Sequence, residues 1–110
     1  MSQRTTKPHR ATYTDPLTAK AGERLSVEER ESEWPGWVWA TAPSGQSGWV
    51  PRAYLTPLEG AAILQRDYSA QELTVAAGID VVVLRAESGW VWVRDPEGCE
   101  GWIPANVLSG

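Results

Sequence analysis

The chain has 110 residues and a formal net charge of −4, with seven tryptophans, no phenylalanine, one cysteine and one histidine. A single cysteine excludes an intrachain disulfide, and one cysteine with one histidine cannot form the usual Cys/His zinc sites. Three basic against eight acidic side chains over residues 59–110 disfavour binding to a phosphate backbone. We therefore expect no metal, no other cofactor and no nucleic-acid partner.

Residues 1–9 are polar and basic and show no apolar periodicity, which predicts a disordered tail. They lack the apolar stretch of a secretory signal, and no run in the chain reaches the length of a membrane span. We expect a cytoplasmic protein without membrane association, and the oligomeric state stays open. The only histidine, His9, is interpreted as a solvated residue of this tail.

The rest of the chain contains the same pattern twice. Trp37-Val38-Trp39 and Gly48-Trp49-Val50-Pro51 return as Trp90-Val91-Trp92 and Gly101-Trp102-Ile103-Pro104, an offset of 53 residues. The offset between the earlier glycines Gly22 and Gly78 is 56, so the first copy carries three extra residues in one loop. A repeat of this period predicts two small domains. We place them at 10–57 and 61–110, with a linker over 56–60.

Short alternating segments separated by Gly, Pro, Ser and Asp predict an all-β fold of small barrels and no helix. Asp95-Pro96-Glu97-Gly98 is expected to form a tight turn in which Gly98 adopts a positive φ. The predicted strands are Glu23–Glu29, Gly36–Thr41 and Gly48–Pro51 in the first copy, and Ala61–Arg66, Asp80–Ala86, Gly89–Arg94, Glu100–Pro104 and a short one around Leu108 in the second.

Alternation along the tryptophan strands predicts which side chains face the core. Val91 and Val93 share one face and Trp90 and Trp92 the other, and valine fits a small barrel interior better than tryptophan. The first copy repeats the arrangement, with Val38 and Ala40 inward. Adjacent outward tryptophans form an apolar patch, which is covered either by a ligand or by the other domain.

Three segments of the second copy resemble one known family when taken together. Glu72–Gly78, Gly89–Arg94 and Gly101–Asn106 follow, in order and spacing, the E-L-S-F-x-x-G-D, W-W-x-V-R and G-x-I-P-x-N-Y signatures of the Src-homology-3 (SH3) family. The first copy is similar to it through Pro16–Glu23, Trp37, Gly48–Pro51 and Tyr54. The resemblance implies two five-stranded SH3-like barrels in tandem, and a non-catalytic role in docking peptides that are often proline-rich.

The resemblance also implies candidate peptide-binding residues. Between the strand tyrosine and the following leucine, both copies keep only a short hairpin (the RT loop), which is typical of a bacterial-type variant. Trp34 lies in the acidic loop created by the three-residue insertion, next to Trp37. The candidates are Tyr13, Trp34, Trp37, Trp39, Pro51 and Tyr54 in the first copy, and Tyr68, Trp90, Trp92, Pro104 and Asn106 in the second.

Catalysis is not expected, because the serines stand in turns without a neighbouring base. The leading hypothesis is a protein- or peptide-binding module whose aromatic grooves dock an extended, proline-rich or basic segment. Two alternatives remain. One is a protein that binds cell-wall peptides, because related barrels bind peptidoglycan peptides. The other is a structural unit whose two barrels pack face to face.

Overall fold

The protein is described by a computed structural model covering residues 2–11, 15–28 and 35–108. These residues form an all-β fold with no α-helix among them. Two single 3₁₀ turns, Arg52–Tyr54 and Ala105–Val107, each follow a strand that ends in proline. The strands are β1 (Ser2–Arg4), β2 (Thr18–Ala19), β3 (Arg24–Glu28), β4 (Trp37–Thr41), β5 (Ser47–Pro51), β6 (Leu55–Leu58), β7 (Ala61–Leu64), β8 (Tyr68–Ser69), β9 (Asp80–Glu87), β10 (Trp90–Arg94) and β11 (Glu100–Pro104).

The chain divides into two compact units that do not follow the order of the repeat. Unit 1 combines residues 1–14 with 71–110, and unit 2 consists of residues 15–70. The sequence predicts a disordered tail over 1–9, whereas the structure has a strand there, β1, within unit 1. It also predicts that the second domain begins at residue 61, whereas β7 lies in unit 2. Each copy of the repeat thus contributes its first strand to the unit built mainly by the other copy.

Unit 1 contains a four-stranded antiparallel sheet in the order β1-β9-β10-β11. The strand β1 lies against the start of β9, with Gln3 opposite Val81. Val93 and Ile103 are fully buried, and the core cluster comprises Leu73, Val75, Val81, Val91, Val93, Ile103 and Val107. The prediction that Val91 and Val93 face the core is therefore confirmed.

Unit 2 contains a five-stranded antiparallel sheet in the order β5-β4-β3-β7-β6, and β2 pairs with β8. Its fully buried side chains include Leu17, Leu25, Val50 and Leu64. The sequence predicts a linker over 56–60, whereas the first three residues of this segment belong to β6. Only Glu59 and Gly60 remain between β6 and β7, with Gly60 at a φ of +70° that favours glycine. The two strands therefore form a tight hairpin.

The strands β1 and β7 occupy equivalent places in the two units. Thr5, directly after β1, corresponds to Leu64 at the end of β7, and each is 1% exposed. Three backbone hydrogen bonds recur with the same geometry. In unit 1 they are Thr5 N to Ile79 O, Gly78 N to Thr5 O and Thr6 N to Val107 O; in unit 2 they are Leu64 N to Glu23 O, Gly22 N to Leu64 O and Gln65 N to Tyr54 O.

The turn at Gly98 and the position of Tyr68 were both open to prediction from local sequence. Gly98 has a φ of +89°, as predicted, and the turn is held by the Asp95 carboxylate, which accepts the Glu97 and Cys99 amides at 2.9 Å each. The sequence predicts a strand over Ala61–Arg66, and the resemblance implies that Tyr68 follows it as a groove residue. In the structure β7 ends at Leu64, and Tyr68 belongs to the separate short strand β8, where it pairs with Ala19.

Candidate functional site

The face of β10 opposite the core of unit 1 presents Trp90 and Trp92. Both indoles are partly exposed, whereas Val91 and Val93 between and beside them are buried. The antiparallel register with β11 places Pro104 opposite Trp90 and Trp102 opposite Trp92. Residues directly opposite in such a ladder have side chains on the same face. We call these four residues the aromatic face of unit 1. Trp102 is 3% exposed and Pro104 is also buried, so Trp90 and Trp92 are its accessible part.

Interactions across the two strands hold Trp92 in one orientation. Its ring meets that of Trp102 edge to face, with centroids 5.4 Å apart. Its indole N–H donates to Glu100 Oε1 over 2.8 Å, while Arg94 Nε donates to Glu100 Oε2 over 3.0 Å. Both hydrogen bonds lower the pKa of the Glu100 carboxyl from its ordinary value, and the bond from Trp92 has the larger effect. The carboxylate thus fixes the indole as part of a preformed surface.

His9 lies beside Trp90, at the end of the aromatic face. Its ring stands edge-on to the indole with centroids 5.7 Å apart, and its Nε2 is 2.8 Å from Glu72 Oε1. The side chains of His9 and Glu72 are only 15% and 12% exposed. Backbone bonds in both directions between His9 and Val75 hold the ring in place. The sequence predicts a solvated His9 in a disordered tail, whereas the structure gives this side chain a defined environment.

The equivalent face of unit 2 is built in the same way. Trp39 and Trp49 lie opposite each other and meet edge to face at 5.3 Å. The pair Thr41 and Ser47, joined by a 2.8 Å hydrogen bond between their hydroxyls, stands where unit 1 has Arg94 and Glu100. Trp37 is buried, with 8% of its surface exposed, although its alternation places it on the outer face. The face of unit 2 therefore presents less of its first indole and carries no charge at its far end.

A second aromatic pair lies in unit 2, between Tyr54 and Tyr68. The rings meet at 5.7 Å, and the Tyr68 hydroxyl donates to the Trp49 carbonyl over 2.6 Å. The guanidinium of Arg66 lies 4.8 Å from the centre of the Tyr54 ring, within the range of a cation–π contact. The buried Tyr54 hydroxyl finds no hydrogen-bond partner among the described residues.

The structure brings some of the predicted site residues together and separates others. Tyr13 and Trp34 lie outside the described residues. Tyr68 and Trp90 belong to different units, because β8 lies in unit 2 and the strand pair β10–β11 lies in unit 1. Unit 2 holds Trp37, Trp39, Pro51, Tyr54 and Tyr68, and unit 1 holds Trp90, Trp92, Pro104 and Asn106, of which Asn106 is exposed.

Sequence reasoning missed several residues of these faces. Trp49 and Trp102 could have been found, because a hairpin closed at Gly45 or Gly98 brings each opposite a tryptophan of the preceding strand. Glu100 follows from the same register. His9 had no such signal, because its neighbours Glu72 and Trp90 are more than sixty residues away. In the described part of the chain, no group of three or more His, Cys, Asp or Glu side chains could hold a metal ion.

Two small all-β units with aromatic outer faces define a tandem of binding domains. Residues 3–58 match the family model described as a variant SH3 domain, and residues 65–110 match the one described as a bacterial SH3 domain. The chain therefore belongs to the SH3 family and carries two SH3-type domains in tandem. SH3 domains are binding modules, typically without catalytic activity. No curated protein and no solved structure matches the chain. Among the described residues, no helix is long and apolar enough to cross a membrane.

Proposed function

We propose that unit 1 docks an extended peptide segment on its aromatic face. The observation that carries this proposal is the pair Trp90 and Trp92, which stand opposite the core and stay partly exposed. Rigid aromatic side chains supply large contact areas at a small cost in conformational entropy, and they are frequent anchors of binding surfaces. The bond from Trp92 to Glu100 and the contact of His9 with Trp90 reduce that cost further, because the rings are already oriented.

A proline-rich segment suits this surface best. A polyproline II helix is preformed and lays its rings on aromatic side chains. A basic segment would need free carboxylates, but Glu72 lies 2.8 Å from His9, and Glu100 accepts bonds from Trp92 and Arg94. We therefore expect aromatic contact to dominate the affinity, with a weak dependence on salt.

Unit 1 is preferred over unit 2 for this role because its two partly exposed indoles, Trp90 and Trp92, follow each other along one strand. In unit 2 the first indole of that strand, Trp37, is only 8% exposed, and the partly exposed indoles Trp39 and Trp49 lie opposite each other on two strands. The two copies would then share a fold and differ in use.

The test is a titration of the full-length, ¹⁵N-labelled chain with a synthetic proline-rich decapeptide, following the indole N–H resonances. We expect the Trp90 and Trp92 resonances to move and Trp90→Ala to remove binding while circular dichroism shows an intact fold. Leu84→Ala, an exposed apolar residue of β9, is the matched control. Trp37→Ala tells whether unit 2 contributes. A response confined to a peptidoglycan stem peptide would favour the cell-wall alternative, and loss of binding in Leu84→Ala alone would contradict the proposal.

A further inference from the structure

Residues 2–11, which we call the N-terminal arm, fill a cleft of unit 1 that is built entirely by residues after 71. The arm pairs with β9, bonds to the Val107 carbonyl through Thr6, and exchanges two backbone bonds with Val75 through His9. The Ala11 amide donates to the Thr74 hydroxyl over 3.0 Å. The arm is thus paired as a strand over Ser2–Arg4 and bonded again at Thr5, Thr6, His9 and Ala11, by contacts that do not depend on chain connectivity.

Thr5 makes the most specific of these contacts. Its hydroxyl donates to the Ala76 carbonyl over 2.7 Å and accepts the Ile79 amide over 2.9 Å, in a position where the residue is 1% exposed. In unit 2 the equivalent position holds Leu64. There the equivalent amide, that of Glu23, donates directly to the Lys20 carbonyl over 3.1 Å. The cleft of unit 1 therefore requires a hydroxyl at a place where the cleft of unit 2 requires an apolar side chain.

Two polar side-chain contacts also join the arm to this cleft. Arg4 Nε lies 3.1 Å from Asp80 Oδ1, and His9 is bonded to Glu72. The repeat offset of 56 puts Arg24 in place of Asp80, and Pro16 in place of Glu72. In the cleft of unit 2, the arm would place Arg4 opposite a like charge, which destabilises a strand pair. The arm and the cleft of unit 1 are therefore matched at three positions.

The two first strands differ in how they are tethered. The strand β7 follows β6 after only Glu59 and Gly60, which fixes it in unit 2. The N-terminal arm is joined to the remainder of unit 1 only through the 56 residues of unit 2. Closure over a long connection costs more entropy than closure over a two-residue turn. A second arm of the same sequence can therefore compete for this cleft, whereas no second β7 can compete in unit 2.

We propose that the cleft of unit 1 is a strand-addition site, and that in trans it takes the N-terminal arm of a second copy of this chain. Two copies that exchange their arms satisfy every contact described above, because each arm meets an identical cleft. The hydroxyl of Thr5, the charge of Arg4 and the imidazole of His9 define the strand that the site accepts. This inference is independent of whether the aromatic face binds a peptide.

The test uses full-length chains that each carry one cysteine, with Cys99→Ser in all of them. Arg4 and Asp80 lie directly opposite in the strand pair, a position whose Cβ separation suits a disulfide, and both side chains are well exposed. R4C chains are mixed with D80C chains, unfolded, refolded together at high concentration and oxidised. The mixture of R4C with R24C chains is the matched control, because Arg24 takes the place of Asp80 in the cleft of unit 2.

The expected result is a disulfide-linked dimer of R4C with D80C, in large excess over any dimer of R4C with R24C. A single chain carrying both R4C and D80C should form its bond internally when dilute, which checks the geometry. If that chain cross-links while the mixed chains stay monomeric, exchange between copies is refuted. If R4C reacts with R24C instead, the assignment of the arm to the cleft of unit 1 is refuted.

Discussion

Replacing Thr5 by valine tests whether the N-terminal arm binds in unit 1 through the Thr5 hydroxyl. Valine keeps the shape of threonine but removes the hydroxyl, so the Ile79 amide and the Ala76 carbonyl lose their partner beside a residue that is 1% exposed. An unsatisfied buried polar group costs about 1–3 kcal/mol. For a unit of this size, that loss lowers the midpoint of thermal unfolding by roughly 5–20 °C.

Thr5→Ser is the matched variant, because it keeps the hydroxyl and removes one methyl group at a cost of about 1 kcal/mol. Thermal unfolding followed by tryptophan fluorescence gives the stability, and hydrogen exchange of the Ile79 amide reports locally on unit 1. We expect Thr5→Val to be the less stable variant and to lose protection at Ile79. If Thr5→Val is as stable as Thr5→Ser and Ile79 stays protected, the arm does not bind in the described way.

Three further predictions concern the two units. Gly101→Ala should destabilise unit 1 by about 1–3 kcal/mol in urea unfolding, because a Cβ there would lie 2.8 Å from the Leu73 backbone nitrogen; unchanged stability would show that this segment is not packed on β11. Tyr54→Phe should leave the stability of unit 2 unchanged or raise it, whereas Tyr68→Phe should lower it by about 1 kcal/mol, because only Tyr68 uses its hydroxyl in a described bond; equal effects would contradict the assignment. Since the pKa of Glu100 is lower in the folded state, its stabilising bonds are present at neutral pH and are lost as the pH falls through that lowered pKa. The Trp92 indole N–H resonance should therefore move only below the ordinary range of glutamate and should not titrate in Glu100→Gln.

Much of each barrel could be predicted from local signals. The turn at Gly98 depends on its own four residues, and the inward position of Val91 and Val93 follows from strand alternation. The register of β10 with β11 follows from that turn, so the pairing of Trp92 with Trp102 could also be predicted. These features involve residues close together in the sequence, where short connections leave few alternatives.

The environment of the N-terminal residues could not be predicted in this way. A polar segment without periodicity reads as a tail, because its one buried side chain, Thr5, is polar and is satisfied by backbone groups more than seventy residues away. The environment of His9 likewise depends on residues distant in the sequence, Glu72 and Trp90. The burial of Trp37 could not be predicted either, because strand alternation indicates on which face a side chain lies and not which residues cover it.

By itself, the sequence determined that there are two SH3-type barrels, where most of their strands and turns lie, and which tryptophans share an outer face, because these properties come from local periodicity repeated at a fixed offset. Only the tertiary structure decided which barrel each first strand completes. Both clefts make the same backbone bonds, so strand propensity cannot distinguish them. The choice depends on the two-residue turn before β7 and on the contacts of Arg4, Thr5 and His9, which become visible only when distant parts of the chain are brought together.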